Sequence, residues 1–191
     1  MNIFFSLNFI DQKISWAIVN LRSDFWDHFF YFITIFGTWY MITLLFVLSA
    51  YLLWLNKRKE LIFPFFVTVL GSGITNLIIK YLIDRPRPSA GIALYTETGY
   101  SFPSAHAALI IALFGFFIYI FWRSDFISVV GKNLIIKTIS TILFAIIIIL
   151  IGFSRLYLGV HYLSDILSGY LVGLVWVVIG IYIYRKSFTS K

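Results

Sequence analysis

Five stretches of this chain, residues 39–55, 61–82, 104–122, 134–153 and 162–184, are almost wholly apolar. Each approaches or exceeds the ~20 residues that an α-helix needs to cross a bilayer. In hydrocarbon the backbone must satisfy its own hydrogen bonds, so such runs are expected to be transmembrane helices. Composition agrees: 61% of residues are hydrophobic and 12% charged, against roughly 25% charged in soluble domains. The expected fold is all-α, a polytopic transmembrane bundle of five to six helices. Residues 1–191 are expected to form one integral membrane domain with no separate soluble module.

The first 27 residues are less regular. Asp11, Lys13, Arg22, Asp24 and Asp27 break any spanning run, whereas Phe4, Leu7, Ile10, Ile14, Ile18 and Leu21 recur at helical spacing. That pattern suits an amphipathic helix lying in the interface, or a distorted first span. No basic n-region or small-residue cleavage site marks a secretory signal. Farther on, Gly71, Gly73 and Asn76 suit close helix packing, and Gly169-Tyr170-Leu171-Val172-Gly173 is a small-xxx-small pattern expected to pack within the bundle.

The net charge of +7 would suggest nucleic acid in a soluble protein; here it is read against topology. Lys57-Arg58-Lys59, the loop bordered by Arg123, Lys132 and Lys137, and the tail with Arg185, Lys186 and Lys191 fall on one side. The positive-inside rule makes that side, and the C-terminus, cytoplasmic. The opposite side holds the 83–103 connection and the 154–161 loop, with Lys80, Arg85, Arg87 and Arg155. Cations kept against the topological bias imply a bound anion. No nucleic-acid partner is expected.

Three segments on that outer side carry the chemistry. In Ser154-Arg155-Leu156-Tyr157-Leu158-Gly159-Val160-His161-Tyr162-Leu163-Ser164-Asp165, His161 and Asp165 are four apart and would share one helix face. A carboxylate on one imidazole nitrogen leaves the other as a lone pair, fit for a nucleophile, a general base or a metal ligand; Arg155 favours an anion. Arg87 can grip phosphate oxygens bidentately, with Lys80 as a point charge. Ser104 is a natural N-cap, so the Ala105 and His106 amides would face outward at the positive end of a helix dipole. Asp84 is expected to pair with its neighbour Arg85. The chain has no Cys, which removes thiolate nucleophiles and cysteine metal sites.

Lys80-x6-Arg87-Pro88, Pro103-Ser104-Ala105-His106 and Ser154-Arg155-x5-His161-x3-Asp165 resemble the three signature motifs of the type 2 phosphatidic acid phosphatase superfamily. That superfamily also contains vanadium haloperoxidases and bacterial acid phosphatases. The motif region covers residues 80–165, and Ala105 stands where the family usually has Gly. The resemblance implies His161 as the nucleophile that becomes phosphohistidine, Asp165 holding its other nitrogen, and His106 protonating the leaving oxygen. It implies phosphate-binding roles for Lys80, Arg87, Ser104, Ala105 and Arg155, with no metal and no cofactor. The short loops favour a lipid phosphate reached from the bilayer; the resemblance to small bacterial members implies undecaprenyl diphosphate, phosphatidylglycerophosphate or phosphatidic acid in a bacterial inner membrane, with the site on the periplasmic or extracellular side that the loop charges indicate. A lipid-to-lipid phosphotransferase and a non-catalytic lipid-binding protein stand as alternatives.

Overall fold

The computed structural model of the chain describes residues 3–123 and 133–189. Seven α-helices follow in order: α1 (Ile3–Val19), α2 (Asp24–Ile35), α3 (Trp39–Leu55), α4 (Ile62–Ile83), α5 (Ala105–Arg123), α6 (Leu134–Tyr157) and α7 (Leu163–Thr189). A short 3-10 turn, Lys59–Leu61, leads into α4. Every regular element among the described residues is helical, as composition and the apolar runs require. Lys132, Lys191 and most of the loop after Arg123 lie outside the described residues, as do the side chains of Phe4 and Leu7.

Among the described residues four helices are long and apolar enough to cross a membrane, Lys59–Ile83, Ala105–Arg123, Leu134–Tyr157 and Leu163–Ser187; α2 and α3, bent by 50° at their junction, bring the number to five if the pair counts as one broken span. The break falls at Gly37-Thr38. The Phe29–Leu55 run therefore holds two helices, where one span over 39–55 was expected. At 17 residues α3 is short for a span by itself.

The core is a pillar of α4, α5 and α7. On α5, Ala107, Ala108, Ile110, Ile111, Ala112, Leu113, Phe116 and Ile120 are buried. Small residues let the backbones touch: a Cβ at Gly169 would meet the Ser104 carbonyl and Ala107, and one at Gly173 the Ala108 carbonyl and Ile111. The small-xxx-small pattern thus packs within the bundle, as expected. Gly71 lies against the Trp176 ring, and Phe65 stacks on Phe116 at 5.6 Å.

Two expectations change here. Helix α6 runs past Phe153 to Tyr157, so Ser154 and Arg155 are its last turn and not part of a loop. Helix α1 splits the expected stripe: Ile18 is buried and Ile14 packs beside it, Ile10 is exposed, and the inward face also carries Asp11 and Ser15, which the apolar periodicity did not show. Polar partners at one end of the bundle outweigh the apolar periodicity.

Candidate active site

The ends of α4, α5, α6 and α7 meet at one end of the bundle. Asp84 closes α4 in the left-handed region, φ 55°, and does not form the expected pair with Arg85. Arg85 instead donates to Asp165 Oδ1 at 2.6 Å and to Asp11 Oδ2 at 2.8 Å, because the helix end turns it toward those carboxylates. The connection that follows is tied to the α6–α7 turn: Leu94 N donates to Leu158 O at 2.9 Å. That turn pivots on Gly159, φ 72°, where a Cβ would meet the Ile92 carbonyl. Only glycine fits both demands.

His161 lies just before α7 rather than on it, so the shared-face argument reached the right neighbours for the wrong local reason. Tyr162 N donates to Asp165 Oδ2 at 2.9 Å. This is a side chain in the first helical turn reaching back to satisfy the amide at the cap, half of a capping box. The bond places the carboxylate beside the ring, with Asp165 Oδ2 at 3.5 Å from His161 Nδ1. No group meets hydrogen-bond geometry at Nδ1.

The other ring nitrogen is better defined. Arg87 Nη1 lies 3.2 Å from His161 Nε2. A guanidinium has donors and no acceptor, so Nε2 must present a lone pair and the proton sits on Nδ1, facing Asp165. Burial, and then the positive charges of Arg155, Arg87 and Lys80, push His161 well below the usual imidazole range. The ring is therefore neutral near pH 7.

Around Nε2 lies a cavity of about 200 Å³ lined by Lys80, Arg87, Glu97, Ala105, His106 and His161, with Trp39 and Leu109 at one side. Both histidines thus face one space. Lys80 Nζ donates to Tyr100 O at 2.6 Å, and Arg87 also donates to Gly99 O at 3.0 Å and Val160 O at 2.9 Å. These bonds leave both cations oriented. Ser104 and Arg155 stand behind the lining, fully or nearly fully buried. Ser104 N donates to Asp165 O at 2.9 Å, and its Oγ accepts from Ala107 N at 3.5 Å, a weak cap. Arg155 Nη1 donates to Thr34 Oγ1 at 2.7 Å and Tyr95 Oη at 2.6 Å, and Nη2 pairs with Glu97 Oε2. Burial raises Tyr95, so its phenol stays neutral and its oxygen accepts from Arg155.

Thr34, Tyr95, Glu97 and Asp11 went unread in the sequence as site residues. The nearest signal was Glu97, an acid in a connection crowded with cations. Among the described residues, His106 Nε2, His161 Nδ1, Arg155 Nε and Asn76 Nδ2 are buried side-chain atoms without a partner. Three of the four belong to this one cluster, where unsatisfied polar atoms point to chemistry rather than to packing.

A second space adjoins the first. An apolar groove of about 310 Å³ runs between α3 and α4, past Ile42, Phe46, Phe66, Leu70 and Gly73. It shares Trp39 and Leu109 with the polar cavity.

The cluster has relatives. The family model described as PAP2 superfamily matches residues 61–189. Phosphatidylglycerophosphatase B of Bacillus subtilis (strain 168) is 28% identical over 186 residues, covering 95% of this chain and 84% of that protein. Dolichyldiphosphatase of Saccharomyces cerevisiae is 29% identical over 152 residues, 74% of this chain and 60% of that one. The crystal structure of a transmembrane PAP2 type phosphatidylglycerolphosphate phosphatase from Bacillus subtilis superposes with a TM-score of 0.83 at 25% identity, covering 95% of this chain and 87% of that chain. With its apolar spans and a cation-lined histidine pair at one end of them, the chain belongs to the PAP2 superfamily and is an integral membrane lipid phosphatase.

Proposed function

We propose that the chain removes a phosphoryl group from a lipid phosphate or isoprenoid diphosphate at the non-cytoplasmic face of the membrane, through a phosphohistidine at His161 and without a metal. The observation that carries this reading is the neutral His161, whose Nε2 lone pair is held by Arg87 at the edge of a cavity lined by Arg87, Lys80 and His106, so that an entering phosphoryl group must draw Arg87 from the ring onto its own oxygens. His161 Nε2 attacks phosphorus and forms a P–N bond while the P–O bond to the lipid breaks. His106 gives its proton to the departing oxygen. Water then attacks the same phosphorus, His106 takes the proton, and the P–N bond breaks to release phosphate. The charge gathered on the equatorial oxygens is met by Lys80, Arg87 and the amides of Ala105 and His106, with the positive charge of Arg155 and the Ser104 hydroxyl just behind the lining. Fixed donors of this kind are the main requirement of phosphoryl transfer.

The lipid tail lies in the α3–α4 groove, which joins the polar cavity at Trp39 and Leu109. This arrangement supports a substrate drawn sideways from the bilayer. The names of the relatives, a phosphatidylglycerophosphatase and a dolichyldiphosphatase, support both a glycerolipid phosphate and a polyprenyl diphosphate as substrates. The basic turn at Lys57-Arg58-Lys59 and the basic C-terminal end support a cytoplasmic C-terminus in a bacterial inner membrane, with the site facing outward.

The test is phosphate release by purified protein in EDTA, across glycerolipid phosphates and polyprenyl diphosphates. The wild-type protein should turn over, and His161→Asn should lose roughly a thousandfold or more. Near-normal release by His161→Asn rules out the covalent route. Loss of release in EDTA that added Mg²⁺ restores rules out metal independence.

A further inference from the structure

We propose that Asp11, on α1, is a positioning residue for His161, acting through Arg85 and Asp165. The inference rests on His161 being the nucleophile.

The observation is a carboxylate on α1 turned away from water and into the bundle. Phe9, Ile10 and Trp16 on α1 are exposed by 65%, 51% and 50%, whereas Asp11 and Ser15 are 2% and 1% exposed. Burying a carboxylate is costly unless each oxygen finds partners. Asp11 finds them on two other elements. Its Oδ1 accepts from Ser164 N at 3.1 Å, and its Oδ2 accepts from Arg85 Nη2 at 2.8 Å and from Ser164 Oγ. Arg85 Nη1 in turn donates to Ser164 Oγ at 2.7 Å and to Asp165 Oδ1 at 2.6 Å. Tyr162 packs on the guanidinium face, its ring centroid 4.2 Å from Cζ. One bonded line therefore runs from α1 to the carboxylate beside His161.

Charge explains what Asp11 adds. Arg85 and Asp165 alone form a neutral pair, and a neutral pair offers little to an imidazole that must take on positive character as it bonds to phosphorus. Asp11 supplies a second carboxylate to the same guanidinium. Asp11, Arg85 and Asp165 together carry one net negative charge, which Asp165 presents toward Nδ1–H. Asp11 and, at 2.8 Å on the same Nη2, the exposed Asn8 Oδ1 hold the fork of Arg85 from the far side; only Asp11 brings charge to that hold. Phosphate contacts are untouched, because Asp11 does not line the cavity. The effect belongs in the rate of phosphohistidine formation and not in substrate affinity.

The experiment is a single-turnover reaction of full-length protein with labelled lipid phosphate in mixed micelles, quenched and assayed for acid-labile, base-stable phosphoprotein. Rate constant and amplitude are read separately. Asp11→Asn keeps the shape and an acceptor oxygen but loses the charge. Its rate constant should fall about tenfold, by analogy with the loss of an outer partner of a metal-ligating histidine, with amplitude and KM close to wild type. Asp11→Glu should recover most of the rate. A merely structural role would lower the amplitude and leave the rate constant alone, and that result overturns the proposal.

Arg85→Lys gives an independent reading if Asp11→Asn does not fold. A lysine is a point charge that cannot bridge two carboxylates as a planar fork does, so the rate constant should again fall about tenfold; an unchanged one overturns the proposal. If the wild-type protein forms no phosphohistidine, the nucleophile assignment itself fails, which is a different result from either variant outcome.

Discussion

The α5–α7 seam and the α3 wall are both apolar helix surfaces in one small bundle, yet they are packed in opposite ways. At the seam, Gly169 and Gly173 bring α7 against the backbone of α5, and a single added methyl group would strike the Ser104 or Ala108 carbonyl. Along α3 only Ile42 and Leu53 are buried, and Leu44, Val47, Leu48 and Tyr51 remain about half exposed. The comparison separates two duties. The seam holds Ala105, His106 and Asp165 in register with His161, which demands rigidity. The wall bounds the apolar groove, and the lipid tail proposed for it would need space there.

The comparison breaks most sharply at its glycines. Gly169→Val should prevent recovery of folded protein, because overpacking a backbone contact has no side chain to displace; the expected loss is about 3 kcal/mol or more, at or above the upper end for overpacked cores. Detergent-stable monodisperse protein from this variant would show that the seam is softer than its geometry implies. Arg155 belongs to neither region: it stands on α6, held by Thr34 of α2 and by Tyr95 and Glu97 of the connection before α5. Arg155→Ala should weaken inhibition by vanadate, a mimic of pentacoordinate phosphorus, by roughly 30-fold, corresponding to about 2 kcal/mol for a charge-assisted contact. Unchanged inhibition would move Arg155 from phosphate binding to scaffolding.

Gly73 tests the wall. A Cβ there would meet only Leu109 Cδ2, at 3.5 Å, so Gly73→Leu should fold and fill the groove. Hydrolysis of long-chain substrates should drop about tenfold, equivalent to roughly 1.4 kcal/mol of lost transition-state stabilisation, with little change for a short-chain water-soluble phosphate. Equal losses for both would place the tail elsewhere.

The smallest effect concerns pH. Burial and the neighbouring cations hold His161 neutral, well below the usual imidazole range, so the folded state binds fewer protons there than the unfolded chain. The stability it contributes is present above about pH 6.5 and is lost as pH falls toward the lower folded value. For one proton the slope is at most about 1.4 kcal/mol per pH unit. Thermal unfolding followed below pH 6.5 should be flatter in His161→Asn and unaffected in Gly73→Leu. A slope that survives His161→Asn belongs to another group.

Much of this architecture was legible along the chain because bilayer spans announce themselves locally. The apolar runs at 61–82, 104–122, 134–153 and 162–184 needed only end adjustments, and Gly169-Tyr170-Leu171-Val172-Gly173 already declared its close contact. The α2–α3 break is marked in the sequence by Gly37-Thr38; the helix ahead of it, α2, was harder, since Asp24 and Asp27 in its first turn stand outside the apolar run. Within the site, five of the eight residues named from spacing line or face one cavity: Lys80, Arg87, Ala105, His106 and His161. What spacing could not convey was pairing. Asp84 is adjacent to Arg85 in sequence, but the left-handed turn at Asp84 sends Arg85 to carboxylates 74 and 80 positions away.

By itself the sequence determined how many apolar segments must be shielded from water and which ionisable groups are set among them, because both follow from residue type and local period. Tertiary structure alone decided that α1 turns Asp11 inward, that Glu97 and Tyr95 meet Arg155, and that a groove between α3 and α4 opens on the histidines. Those outcomes depend on which buried charges can reach a partner once the helices have packed. The energy of such an encounter is set by distance in space, on which separation along the chain has no bearing.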